Sequence, residues 1–202
     1  MFKYTITQLL QFFTPSLIWR VKTVDKTVYL TFDDGPHPQI TPWVLNQLKL
    51  SNAQATFFCV GENVTKFPDT FNEILNSGNE VGNHTFNHIN GWKTNNENYF
   101  NNILKCKNVV DSNLFRPPYG RIKFSQIKML KQHFQIIMWD ILSRDYEANL
   151  DTKKAIQKIK NNLRHGSILV FHDSAKAEKN LKLMLPEILQ HIQENGYEMK
   201  SL

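Results

Sequence analysis

Two carboxylates and two histidines could act together. Asp33 and Asp34 lie in Thr31-Phe-Asp-Asp-Gly35, and His84 and His88 in Gly82-Asn-His-Thr-Phe-Asn-His88. Adjacent carboxylates repel, so a strand end that offers both calls for a cation or a proton on one of them. Neighbouring side chains of an extended segment diverge, so one carboxylate can ligate a metal while the other faces a reacting water. Alone, Asp34-Gly35 reads as an ordinary turn. The histidine pair shifts that balance, because side chains four apart on a helical turn lie about 5–6 Å from each other and can chelate one ion. Thr85 follows His84, so the H-E-x-x-H pattern is absent and the base must come from elsewhere. Together the four residues make an open His2Asp site for a divalent ion, and the chemistry of a metal-dependent hydrolase.

Three more segments carry reactive groups. In Phe115-Arg116-Pro-Pro-Tyr-Gly120 two prolines stiffen a loop, Gly120 permits an unusual backbone angle, and Arg116 can pair with a carboxylate. Gly166-Ser-Ile-Leu-Val-Phe-His-Asp173 places His172 at the end of an apolar run, a position suited to a general acid. Trp139-Asp-Ile-Leu-Ser-Arg-Asp145-Tyr146 sets carboxylates beside aromatics, and either Asp145 or Asp140 could tune His172.

These groups need elements to carry them. Strand-like runs rich in β-branched and aromatic residues cover 27–32, 55–60, 80–82, 114–115, 135–139, 167–171 and 197–201. Helix-like segments cover 42–50, 68–77, 98–110, 125–132, 152–163 and 179–194. Such alternation predicts an α/β fold with a parallel sheet and right-handed crossovers. About seven strands suit a closed or nearly closed barrel in a single domain, with an open doubly wound sheet as the alternative. Both architectures put chemistry at the C-terminal ends of the strands.

Bulk properties set the remaining bounds. The chain has 202 residues and 41% hydrophobic content, enough for one substantial core. Its net charge is +6, but the lysines are scattered and concentrate only at 153–164, on what reads as the wet face of a helix. Nucleic acid is therefore not an expected partner. Cys59 and Cys106 are far apart, and Cys59 ends an apolar run, which predicts buried free thiols. Residues 1–26 read as an N-terminal amphipathic extension that packs on the barrel or lies weakly on a membrane surface. The apolar residues of its first part are interrupted by Thr5, Thr7, Gln8 and Gln11, unlike an export signal, and no run approaches the ~20 apolar residues of a membrane span. Cytoplasmic residence is the default expectation.

The five segments, taken in order, resemble the polysaccharide deacetylase family (carbohydrate esterase family four, with its NodB-like deacetylase domain). The resemblance runs from about Thr27 to the C-terminus. It implies a distorted (β/α) barrel with fewer than eight strands over residues 27–202, and removal of N-acetyl groups from an amino-sugar glycan such as peptidoglycan or a chitin oligomer. It also implies one divalent ion, zinc first, with cobalt, nickel or manganese also accommodated, held by Asp34, His84 and His88. Asp33 would be the base, Arg116 its cationic partner, His172 the acid and Asp145 the residue that tunes it. The Tyr119 backbone N–H would face the oxyanion, and Leu169 and Trp139 would line the substrate pocket. Tyr146 departs from the family pattern, which usually has Trp there. The alternatives are an O-acetyl esterase or small-amide hydrolase on the same site, or a carbohydrate-binding protein on an inactive scaffold.

Overall fold

The computed structural model describes residues 14–202. The first half of the expected N-terminal extension, residues 1–13, lies outside them. The described residues contain nine strands: β1 (Leu17–Ile18), β2 (Thr27–Asp33), β3 (Thr56–Cys59), β4 (Glu80–Asn83), β5 (Leu114–Phe115), β6 (Gln135–Ile137), β7 (Ile141–Leu142), β8 (Ile168–His172) and β9 (Glu198–Lys200). The helices between them are α1 (Ile40–Leu50), α2 (Gly61–Lys66), α3 (Pro68–Asn76), α4 (Asn96–Lys107), α5 (Phe124–Leu130), α6 (Thr152–Asn162) and α7 (Glu178–Glu194). The strands form one sheet in the order β1-β6-β5-β4-β3-β2-β8-β7, with β9 beside β2, and all strand pairings are parallel.

The sheet curls into a distorted barrel because one stretch of chain joins its two ends. β6 pairs with β5, and after residues 138–140 the same stretch becomes β7 and pairs with β8. Within that bend, Met138 N–H donates to Ile18 O and Asp140 N–H donates to Ile168 O. The expected seven strands are all found, and β1 and β7 are additional. Each is only two residues long, too short for a period-2 signal in the sequence. β1 lies within the segment read as an extension, so the sheet begins before Thr27.

Strand alternation sorts each side chain to one of two layers. Val28, Leu30 and Phe32 of β2 and Leu169 and Phe171 of β8 face outward, into the main core with Val44 and Leu48 of α1 and Leu181, Met184 and Leu185 of α7. The alternate positions point into the barrel, where Phe58, Ile137 and Ile168 pack with Tyr29 and Leu114. That inward parity, carried to the C-terminal strand ends, sets out Asp33, His84, Arg116 and His172 as an upper layer of polar groups. Cys59 and Cys106 are buried and free, and α6 buries Ile156 and Ile159 while Lys153, Lys154 and Lys158 face water. No helix among the described residues is long and apolar enough to cross a membrane.

Candidate active site

Asp34, His84 and His88 meet at the barrel mouth, with one potential ligand atom from each lying within 4.8 Å of the others. His88 Nε2 is 3.1 Å and His84 Nε2 3.7 Å from the same oxygen, Asp34 Oδ1. The helical turn expected for the two histidines is absent. They sit in a loop after β4, and left-handed backbone at Thr85 (φ 62°) and His88 (φ 53°) turns the second ring back onto the first. Asp34 is left-handed too, at φ 79°, which swings it off the line of β2. Non-glycine residues pay for such angles in strain and tend to hold them where function requires the geometry.

The tautomer of His84 follows from its partner. Its Nδ1 lies 2.8 Å from the Arg116 carbonyl, which can only accept, so Nδ1 carries the hydrogen and Nε2 offers its lone pair to the cluster. Burial pushes the His84 pKa down to about 4, so the ring is neutral at pH 7. Burial alone would raise Asp34, but the His88 hydrogen bond and the charges of His172, His84 and His88 outweigh it and hold the carboxyl well below its usual range. A carboxylate and two imidazoles converging on one point fit a divalent cation.

Asp33 is 4% exposed and takes a 2.7 Å hydrogen bond from Arg116 Nη1. Arg116 itself is fully buried, and every arm of its fork is engaged. Nη1 also donates to Thr31 Oγ1, Nε to Ile137 O and Nη2 to Met138 O, while the guanidinium lies 4.1 Å from the Phe58 ring centroid. A buried guanidinium is costly unless paired and saturated, and a shorter or more flexible cation cannot reproduce these contacts.

His172 stands opposite Asp33 in the β2–β8 register. Its Nδ1 is 2.7 Å from Asp145 Oδ1, its backbone N–H donates to Asp145 Oδ2, and Ser143 Oγ donates to Asp145 Oδ1. Burial works against the imidazolium, but the Asp145 hydrogen bond and charge, with Asp33 and Asp34 adding to them, raise the His172 pKa to about 9. Asp140 lies elsewhere, bonded to Ser167 and the Ile168 N–H, so the choice the sequence leaves open falls to Asp145. Tyr146 packs edge-on against His172 with ring centroids 4.9 Å apart.

Tyr119 is left-handed (φ 61°), and its hydroxyl lies 3.1 Å from His88 Nδ1. Trp139 lies beside Arg116 and packs over Gly120, where a Cβ would come within 2.7 Å of the indole. Leu169 is a correction. It belongs to the outward layer under α1 and α7, so it cannot line a pocket that His172 faces. Val170 is the β8 residue on the His172 side, and counting two back from His172 would have found it. Asp173 is a group the sequence reading missed. It is fully buried, accepts the Gly35 N–H at 3.1 Å and the Thr41 hydroxyl, and burial pushes its pKa up to about 8. It fixes the turn that carries Asp34.

Residues 20–134 match the polysaccharide deacetylase family. A peptidoglycan-N-acetylglucosamine deacetylase of Bacillus cereus is 33% identical over 192 residues, covering 91% of this chain and 90% of that protein. A chitooligosaccharide deacetylase of Azorhizobium caulinodans is 30% identical over 168 residues, covering 79% of this chain and 80% of that one. A crystal structure of a peptidoglycan N-acetylglucosamine deacetylase in complex with 4-naphthalen-1-yl-N-oxidanyl-benzamide aligns with a TM-score of 0.87 at 30% identity, over 93% of this chain and 91% of that one. Sequence, barrel and the order of the polar strand ends agree, and this chain belongs to the polysaccharide deacetylase family.

Proposed function

We propose that this chain is a metal-dependent N-deacetylase of amino-sugar glycans, with peptidoglycan-like and chitin-like N-acetylglucosamine polymers as its substrate class. The observation that carries this reading is the pairing at the barrel mouth. A carboxylate held by Arg116 and an imidazole held by Asp145 stand opposite each other across β2 and β8, beside a three-ligand cation cluster. The named relatives act on such glycans, which supports the substrate class.

Asp34, His84 and His88 would hold one divalent ion, zinc first, although the same donor set also suits cobalt, nickel and manganese. When bound, such an ion polarises a carbonyl oxygen and makes a neighbouring water more acidic. Asp33 accepts the proton of the water that attacks the acetyl carbon. Arg116 occupies one of its oxygens and fixes its aim. The Tyr119 amide is assigned to the carbonyl oxygen as negative charge develops there. His172, with Nδ1–H committed to Asp145, delivers its Nε2 proton to the departing nitrogen, a step worth ~10²–10⁴ in rate. The C–N bond breaks, releasing acetate and a free amino sugar. Val170 and Trp139 furnish the apolar wall for the acetyl methyl.

Acetate release from N-acetylglucosamine oligomers and from peptidoglycan, measured alongside bound metal, tests this reading. His84→Ala should lose both the metal and the activity, and an unimpaired variant would sink the assignment. Release of acetate only from O-acetylated substrates would redirect the reading to an esterase.

A further inference from the structure

Outside the catalytic cluster, the barrel rim carries an exposed tryptophan that is held rigidly. Trp92 is 59% exposed, although its backbone and ring edge are both tied down. Asn90 Oδ1 accepts the Trp92 N–H at 3.0 Å, and the indole Nε1–H donates to the Ile122 carbonyl at 3.1 Å. The Arg121 guanidinium stacks 5.3 Å from the indole centroid. Beneath this shelf lies Gln126, 2% exposed, which joins its two segments. Gln126 Nε2 donates to the carbonyls of Gly91 and Thr94, and Oε1 accepts the Lys123 N–H. The segments touch so closely that a Cβ on Gly91 would lie 2.5 Å from the Arg121 carbonyl oxygen. Isolated exposed apolar residues are ordinary. An indole immobilised by a buried amide, with a cation on its ring, is a prepared surface.

The shelf is continuous with the active site along both of its segments. Trp92 follows His88 by four residues and Arg121 follows Tyr119 by two, and His88 and Tyr119 are in contact, with ring centroids 4.7 Å apart. Four residues span at most about 14 Å, which places the indole within a few sugar units of the cation cluster. A pyranose ring presents a flat face of C–H groups with its hydroxyls around the edge. Such a face lies well on an indole, whose ring Arg121 braces from one side.

We propose that Trp92 and Arg121 form a distal glycan subsite that stacks a sugar of the same strand a short distance from the residue being deacetylated. This rests on the glycan reading above and deepens it: the preferred substrate is an oligomer and not a single amino sugar. Binding is measured first, by isothermal titration calorimetry of N-acetylglucosamine hexamer and of the monosaccharide into metal-free protein, where no turnover occurs. Steady-state acetate release from both sugars by the metal-loaded protein follows.

Trp92→Ala should weaken hexamer binding about tenfold, leave the monosaccharide unchanged, and raise KM for the hexamer with kcat preserved. Trp92→Phe should recover most of the loss, and Arg121→Ala should show a smaller one. Equal hexamer affinity in wild type and Trp92→Ala overturns the subsite, as does an equal loss on hexamer and monosaccharide, which would mean a structural role. If wild-type protein binds the hexamer through Trp92 yet releases no acetate, the subsite stands and the deacetylase reading fails.

Discussion

The carbonyl oxygen of Arg116 accepts the Nδ1–H of His84 at 2.8 Å, so a single residue orients a member of the Asp34–His84–His88 cluster with its backbone and the Asp33 carboxylate with its side chain. The two tasks can be separated by mutation. Arg116→Ala leaves Asp33 buried without its counter-charge and should cost about 3–5 kcal/mol in urea unfolding. Arg116→Lys keeps a charge but cannot reproduce the fork to Thr31, Ile137 O and Met138 O. It should retain metal, because the carbonyl is untouched, while acetate release falls sharply. Loss of metal in Arg116→Lys would contradict this division of labour.

The His172–Asp145 pair predicts a pH-dependent contribution to stability. The folded pKa of about 9 lies above the ordinary histidine value of 6.5. The pair's contribution is therefore fully present below about pH 6.5 and is lost as pH rises through about 9. In metal-free protein the stability gap between wild type and Asp145→Asn should be widest below pH 6.5 and narrow steadily towards pH 9. Thermal unfolding across that range checks the slope and its sign.

Metal loading should move the same titration. A divalent cation at Asp34, His84 and His88 places positive charge near His172 and disfavours its imidazolium. The His172 ring resonances should therefore titrate at lower pH in the metal-loaded protein than in the chelated one. An unchanged midpoint would place the ion elsewhere.

Gly35 and Asp173 are packed too closely to admit a side chain. A Cβ on Gly35 would lie 2.1 Å from Asp173 Oδ2, and Asp173 is fully buried. Gly35→Ala should destabilise the fold by about 1–3 kcal/mol and depress activity with it, because the turn carries Asp34. Burial keeps Asp173 protonated at neutral pH, so Asp173→Asn should be tolerated far better than Asp173→Ala. The alanine variant takes the acceptor from the Gly35 N–H and from the Thr41 O–H, at about 1–3 kcal/mol for a buried donor left unsatisfied. Denaturation midpoints of the three variants give the comparison.

Residue type, spacing and order along the chain were enough to pick out Asp33, Asp34, His84, His88, Arg116 and His172, because polar groups that end short apolar runs fall at the C-terminal ends of parallel strands. The same patterning determined the α/β class and seven of the nine strands among the described residues. Tertiary structure decided the rest. The left-handed angles at Asp34, Thr85, His88 and Tyr119 that close the cluster are held by surrounding contacts that no local propensity encodes. The choice of Asp145 over Asp140 depended on which carboxylate the bend after β6 brings to β8. The assignment of Val170 over Leu169 depended on which face of β8 the helices cover. Sequence specifies which groups are available at the strand ends, and only the packed barrel determines which of them meet, because angle, parity and burial are properties of neighbours distant in the chain.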